Sequence, residues 1–229
     1  MSMLAEFFDL SKDSRTIFED TKIMKTENAS EINQYPTIFL SFANCRGDEE
    51  NIKISIFYLL RKEMARYLAL LKNDTVDEDL RDRYQSMYKE ICDKTDFIST
   101  KFSISVMCEL LNKVYQKPVM LFIDEYDTPF IEAHTHECYD KLHNTLAGML
   151  SSALKDNPYL QYAMLTGIQR VAKENTPQAG FSLFSGLNNL KVHTVASSNY
   201  ASYFGFVEEE VKAMLEYYGL PYSDAVKAM

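Results

Sequence analysis

The sequence predicts an α/β protein with a mainly parallel sheet covered by helices. Strand-like apolar segments alternate with long segments of helical periodicity along the chain, the order that builds such sheets. The run Val119 to Ile123 (VMLFI) is apolar at every position and sits between Pro118 and Asp124-Glu125, which is the pattern of a strand buried on both faces. The chain has 229 residues, of which 46% are hydrophobic, enough for one well-packed core.

Taken in order, Met1 to Phe8 reads as a helix that begins abruptly on apolar residues, with none of the Ser, Thr, Asp or Asn caps that usually precede one. Tyr35 to Phe42 (YPTIFLSF) is rich in β-branched and aromatic residues and reads as a strand. Phe57, Leu60, Met64, Tyr67, Leu68 and Leu71 recur at helical spacing, predicting one long helix over Asn51 to Lys72. After a polar loop at Asn73 to Asp79, a second helix runs over Leu80 to Ile91, and a third is expected from about Phe102 to Tyr115. Beyond the VMLFI strand, Tyr139 to Leu154 places Leu142, Leu146, Met149, Leu150 and Leu154 on one helical side, and Asn157-Pro158 closes it. Tyr159 to Leu165 is a further strand, Leu190 to Val195 a short one, and Glu208 to Tyr218 a helix stopped by Gly219 and Pro221.

Composition excludes several classes of function. Charged residues make up 25% of the chain, so disorder is not its main state. No window holds eighteen consecutive apolar residues, and Met1 to Leu10 lacks the basic start and cleavage site of a signal peptide. A net charge of −9 argues against binding nucleic acid through the surface as a whole. Cys45, Cys92, Cys108 and Cys138 form no C-x-x-C pair, and the expectation is reduced thiols in a cytoplasmic protein.

Ligands of parallel sheets bind at the carboxyl ends of the strands, so the residues just after each strand carry the functional signal. The sharpest is VMLFIDEYDTP at 119–129. An apolar strand ending in Asp-Glu fits a Walker B arrangement, with Asp124 holding Mg²⁺ through water and Glu125 orienting the attacking water. The same residues also fit a plain helix start, with Asp127 or Thr128 as N-cap and Pro129 at the first helical position. Thr166, which closes the next strand, places a hydroxyl beside the acidic pair, and Arg170 stands within reach of phosphate charge. Each also has a structural account, a strand terminus and an exposed helical arginine. Ser185-Gly186-Leu187-Asn188-Asn189 reads as a polar turn, and no G-x-S-x-G surrounds Ser182 or Ser185. His134, His136 and Cys138 are metal-binding residue types, but 136 leaves the helical face shared by 134 and 138, and no second ligand pair accompanies them. The segment G-x-x-x-x-G-K-[ST], whose amides cradle phosphates in P-loop proteins, is absent from the sequence.

Five segments in this order resemble the AAA-ATPase-like domain family of the P-loop NTPase superfamily: YPTIFLSF at 35–42, FIDEYDTP at 122–129, LTGIQRVAKE at 165–174, FSGLNNL at 184–190 and YFGFVEEEV at 203–211. The resemblance implies a three-layer P-loop NTPase-like core over 1–206 and the start of a C-terminal helical lid over 207–229. It also implies ATP and Mg²⁺ as ligands. Asp124 takes the magnesium role, Glu125 the water-activating role and Thr166 the sensor position, and Arg170 falls in a T-G-x-x-R motif. Family members often carry a PD-(D/E)xK nuclease-like domain as well. In the family the phosphate loop directly precedes a helix similar to MSMLAEFFD, so the resemblance places the first strand and that loop ahead of Met1. Residues 175–183 look like additional sequence, and Val207 stands where the family usually has a capping Thr or Ser.

The resulting reading is an ATPase core lacking its phosphate loop, with little activity alone. Two alternatives remain at this level: a non-catalytic interaction module on the same scaffold, and a Mg²⁺-dependent phosphodiesterase using Asp124, Glu125 and Asp127. A sheet without its first strand exposes an edge, which predicts reduced stability or self-association through that edge.

Overall fold

The apolar run after Pro118 occupies the middle of the sheet in the computed structural model, which describes residues 1–168, 191, 193–194 and 205–222. The chain divides into two units, Met1–Asn188 and Asn189–Met229. In the first, the elements in chain order are α1 (Ser2–Phe8), α2 (Arg15–Phe18), β1 (Thr37–Ser41), α3 (Glu49–Ala65), α4 (Glu78–Asp93), α5 (Ser103–Tyr115), β2 (Val119–Asp124), α6 (Thr128–Thr135), α7 (Tyr139–Leu154) and β3 (Leu160–Leu165). The second unit contains α8 (Glu208–Tyr217).

The three strands are parallel in the order β1-β2-β3. Period-two alternation sorts their side chains onto two faces. Ile38 pairs with Leu121 and Leu40 with Ile123, and all four are fully buried. On the other face Phe39 pairs with Phe122, Phe122 with Met164, and Met120 with Tyr162. There α1 lays Ala5 against Met120 and Phe122, with Met1, Leu4, Phe8, Tyr35 and Phe39 packed around them. The Phe8 ring stacks on Phe122 at 5.9 Å between centroids. This cover stops short of β3, where Tyr162 is 67% and Met164 46% exposed.

Two devices tie α1 to the sheet. Asn33 takes a left-handed conformation (φ 55°), and its side-chain amide donates to the Asp9 carbonyl at 2.9 Å while its side-chain oxygen accepts from the Ser14 amide at 2.9 Å. Left-handed backbone is tolerated by Asn more readily than by most residues. Asp9, just past α1, bridges in parallel to Tyr35, just before β1. Its carboxylate meets Arg66 at 2.7 Å, and Arg66 also meets Glu63 at 2.6 Å. Burial pushes the Glu63 carboxyl above its ordinary range, against the opposing pull of Arg66 and the Tyr67 hydroxyl.

The long helix expected over Asn51 to Lys72 divides in two. α3 begins at Glu49 because Asp48 caps it, its carboxylate accepting from the Asn51 amide at 3.0 Å. It ends at Ala65, where the amides of Arg66 and Tyr67 turn to the carbonyls three residues back, and a 3₁₀ turn over Leu68–Lys72 comes next. Apolar periodicity continues through both pieces, which is why it reads as one helix. The expected short strand at Leu190 to Val195 lies largely outside the described residues, and Lys191, His193 and Thr194, which are described, are in no strand. At α8, Glu210 accepts from the Val207 amide at 3.0 Å, the half of a capping box that needs no side-chain oxygen at 207.

Candidate functional site at the strand ends

The three strands end level with one another. The Phe42 amide donates to the Asp124 carbonyl at 2.9 Å, the Thr166 amide to the Ile123 carbonyl at 3.0 Å, and the Tyr126 amide to the Thr166 carbonyl at 3.1 Å. This lacing fixes the segments after β1, β2 and β3 against each other. Side chains carried there are held by rigid elements, as a site requires.

Asp124, the last residue of β2, accepts a hydrogen bond from the Thr166 hydroxyl at 2.5 Å. Two residues 42 positions apart in sequence are thus brought onto one spot by the β2–β3 pairing. Glu125 comes next in a left-handed conformation (φ 50°), uncommon for a residue with a side chain and costly to hold. One of its carboxylate oxygens, Oε2, accepts from the Thr128 hydroxyl at 3.2 Å and lies 3.6 Å from the Arg46 guanidinium. The other, Oε1, takes part in no hydrogen bond or ion pair among the described residues.

Arg46 belongs to the loop between β1 and α3. Its Nε donates to the Ala43 carbonyl at 2.8 Å, and its Nη1 lies 3.4 Å from Glu132 on α6. The second oxygen of Glu132 accepts from the Gly47 amide at 3.0 Å, and Gly47 itself adopts φ 98°, a conformation glycine takes without penalty. Sequence reading did not single out Arg46 or Glu132. The signal for Arg46 is its position shortly after a strand of this sheet; Glu132 has none, because only folding brings α6 against that loop.

Asp127 has a different job from its neighbours. It is 1% exposed and accepts from the Ile168 amide at 2.9 Å. A Cβ added at Gly167 would come within 2.5 Å of its Oδ1, so glycine is what lets β3's exit run this close. Asp127 also stands at the N-cap position of α6, with a proline in the first turn, but its side chain makes no cap. Three acidic residues close in sequence therefore do not converge as a three-carboxylate cluster.

The remaining candidates separate. Arg170 lies outside the described residues, as do the residues of the 185–189 turn. His134, His136 and Cys138 do not share one helix: α6 ends at Thr135, Glu137 takes φ 54°, and α7 starts at Tyr139. His136 faces Glu132 at 3.8 Å, and Cys138 is buried. All four thiols are free, and burial pushes those of Cys45 and Cys108 up to about 12, which makes them poor nucleophiles.

The donor set at the strand ends fits magnesium. Mg²⁺ prefers oxygen ligands, retains several waters and uses one or two carboxylates, which Asp124 and Glu125 supply beside the Thr166 hydroxyl. Among the described residues no group of three or more His, Cys, Asp or Glu side chains is placed to enclose a metal in an all-protein cage. A mostly hydrated cation does not need one.

The family model described as Predicted AAA-ATPase matches residues 1–176. The chain belongs to that family. The matched span takes in all three described strands of this AAA-ATPase-like protein together with Asp124, Glu125, Thr166, Arg46 and Glu132. The family implies an ATPase-type domain, with ATP and Mg²⁺ as its general ligands. No curated protein and no solved structure matches the chain. No described helix is long and apolar enough to cross a membrane.

Proposed function

We propose that this chain is the core of an ATP-hydrolysing domain in which Asp124 holds hydrated Mg²⁺, Glu125 activates the attacking water and Thr166 orients the Asp124 carboxylate. The observation that carries the reading is the Thr166–Asp124 hydrogen bond at 2.5 Å between neighbouring strand ends, with Glu125 the residue that follows Asp124. The bound cation would neutralise phosphate charge. Glu125 accepts a proton from water as the water oxygen bonds to the γ-phosphorus; the bond from that phosphorus to the β–γ bridging oxygen breaks, and ADP leaves with the electron pair. Such a reaction rests on positioning and charge neutralisation more than on covalent chemistry, which suits two carboxylates on rigid elements.

The sequence contains no G-x-x-x-x-G-K-[ST], the loop whose amides cradle phosphates in P-loop proteins. The 229-residue chain alone is expected to bind MgATP weakly, and a form that carries such a loop to bind it well. Calorimetry tests this: micromolar binding by the 229-residue chain overturns the need for that loop. In the form that carries the loop, Glu125→Gln is expected to keep MgATP binding and lose turnover. Unchanged turnover in that variant removes Glu125 from the mechanism.

A further inference from the structure

Resting on that reading of Glu125, we propose that Arg46 is a positioning residue for it, acting with Thr128 to hold one carboxylate oxygen so that the other is aimed at water. The Glu125 carboxylate is only partly covered, at 39% exposure, and sits on a backbone conformation few residues adopt. Left alone, such a side chain samples several rotamers. Here its Oε2 is fixed from two sides, by the Thr128 hydroxyl at the start of α6 and by the Arg46 guanidinium from the loop after β1. Both anchors act on the same oxygen, and Oε1 has no partner among the described residues. A carboxylate pinned this way presents its free lone pairs in one direction, which is what a water-activating base requires.

Arg46 is itself held. The Ala43 carbonyl receives its Nε, and Glu132 receives its Nη1 while also gripping the Gly47 amide of the same loop. The guanidinium is a planar fork, so fixing two of its nitrogens fixes the third, Nη2, which faces Glu125. The Arg46 side chain is 59% exposed, and an ion pair of this kind contributes little to folding. Its geometric effect on Glu125 is therefore separable from stability.

The test is steady-state ATP hydrolysis by the form that carries the phosphate loop, with thermal melting of each variant alongside. Arg46→Ala is expected to melt as the parent does, keep KM for ATP within about twofold and lose roughly tenfold in kcat, less than the roughly hundredfold that a displacement of about 1 Å can cost. Arg46→Lys restores only part of the loss, because an ammonium cannot hold Ala43, Glu132 and Glu125 at once. Thr128→Val, which removes the other anchor, lowers kcat in the same way and serves as the second probe if an Arg46 variant does not fold. Unchanged kcat in both Arg46→Ala and Thr128→Val, with Glu125→Gln inactive, overturns the positioning role and leaves the proposed function standing. A rise in KM with unchanged kcat in Arg46→Ala also overturns it, assigning Arg46 to phosphate binding instead. A parent protein with no ATP turnover fails the function itself.

Discussion

The two faces of the sheet are built to different standards. On one, Ile38, Leu40, Leu121 and Ile123 are fully buried. On the other, a seven-residue helix covers Phe39, Met120 and Phe122 and leaves Tyr162 and Met164 in the open. The strand pairing is the same for both, so hydrogen bonding does not distinguish them. The difference lies in what packs on each side. It teaches that the α1 face is closed over β1 and β2 by an apolar cluster, polar ties and aromatic contacts, and is left open over β3.

That contrast can be broken from either side. The largest effect is expected from Leu40→Ala on the deep face, about 2–5 kcal/mol of stability by chemical denaturation, since a truncated buried leucine loses transfer energy and leaves a cavity. An equal change on β3, Met164→Ala, is expected to cost under about 1 kcal/mol because its side chain is already half in water. Equal losses at the two sites contradict the contrast.

Next comes the polar tie. Arg66→Ala leaves the buried carboxylates of Asp9 and Glu63 without their shared cation, and is expected to cost about 2 kcal/mol, below the roughly 3–5 kcal/mol of a fully buried pair because Arg66 is partly exposed. Removing the Asp48 cap of α3 by Asp48→Ala is expected to cost about 1 kcal/mol, seen as a lower melting temperature.

The smallest effect is a pH dependence. Glu63 is raised in the folded state, so the native protein binds its proton more readily than the unfolded chain does. The contribution of this group is present below the ordinary glutamate value of 4.5 and is lost as pH rises through the higher folded value. Melting curves near pH 4.5 and at neutral pH should show Glu63→Gln losing that part of the slope. An unaltered slope assigns the pH dependence to other groups.

Much of the fold is readable from the chain. The strands at 35–42, 119–123 and 159–165 come within two residues of β1, β2 and β3, because continuous apolar and β-branched runs have few alternative uses. Asp124, Glu125 and Thr166 stand at or just past strand ends, where parallel sheets bind their ligands, and the fold brings Thr166 onto Asp124. The break between α3 and the turn at Leu68 is not readable, since the apolar spacing runs across it and only the backbone amides change partner. Nor are the roles of Arg46 and Glu132, whose approach depends on α6 meeting a loop 85 residues earlier in the chain. Asp127 is the opposite case: it sits beside the acidic pair in sequence, and what the chain does not reveal is that the fold buries it and turns its Oδ2 to the Ile168 amide.

Asn33 stitches the turn after α1 to the residues that enter β1, and Asp9 extends the stitch through Arg66 to the end of α3. The first helix is thereby linked to the residues entering β1 and to the C-terminal end of α3, whose capped N-terminus adjoins the Arg46 loop. Asn33 and Asp9 thus form one anchor shared by three pieces of the fold: α1, the entry to β1 and the end of α3.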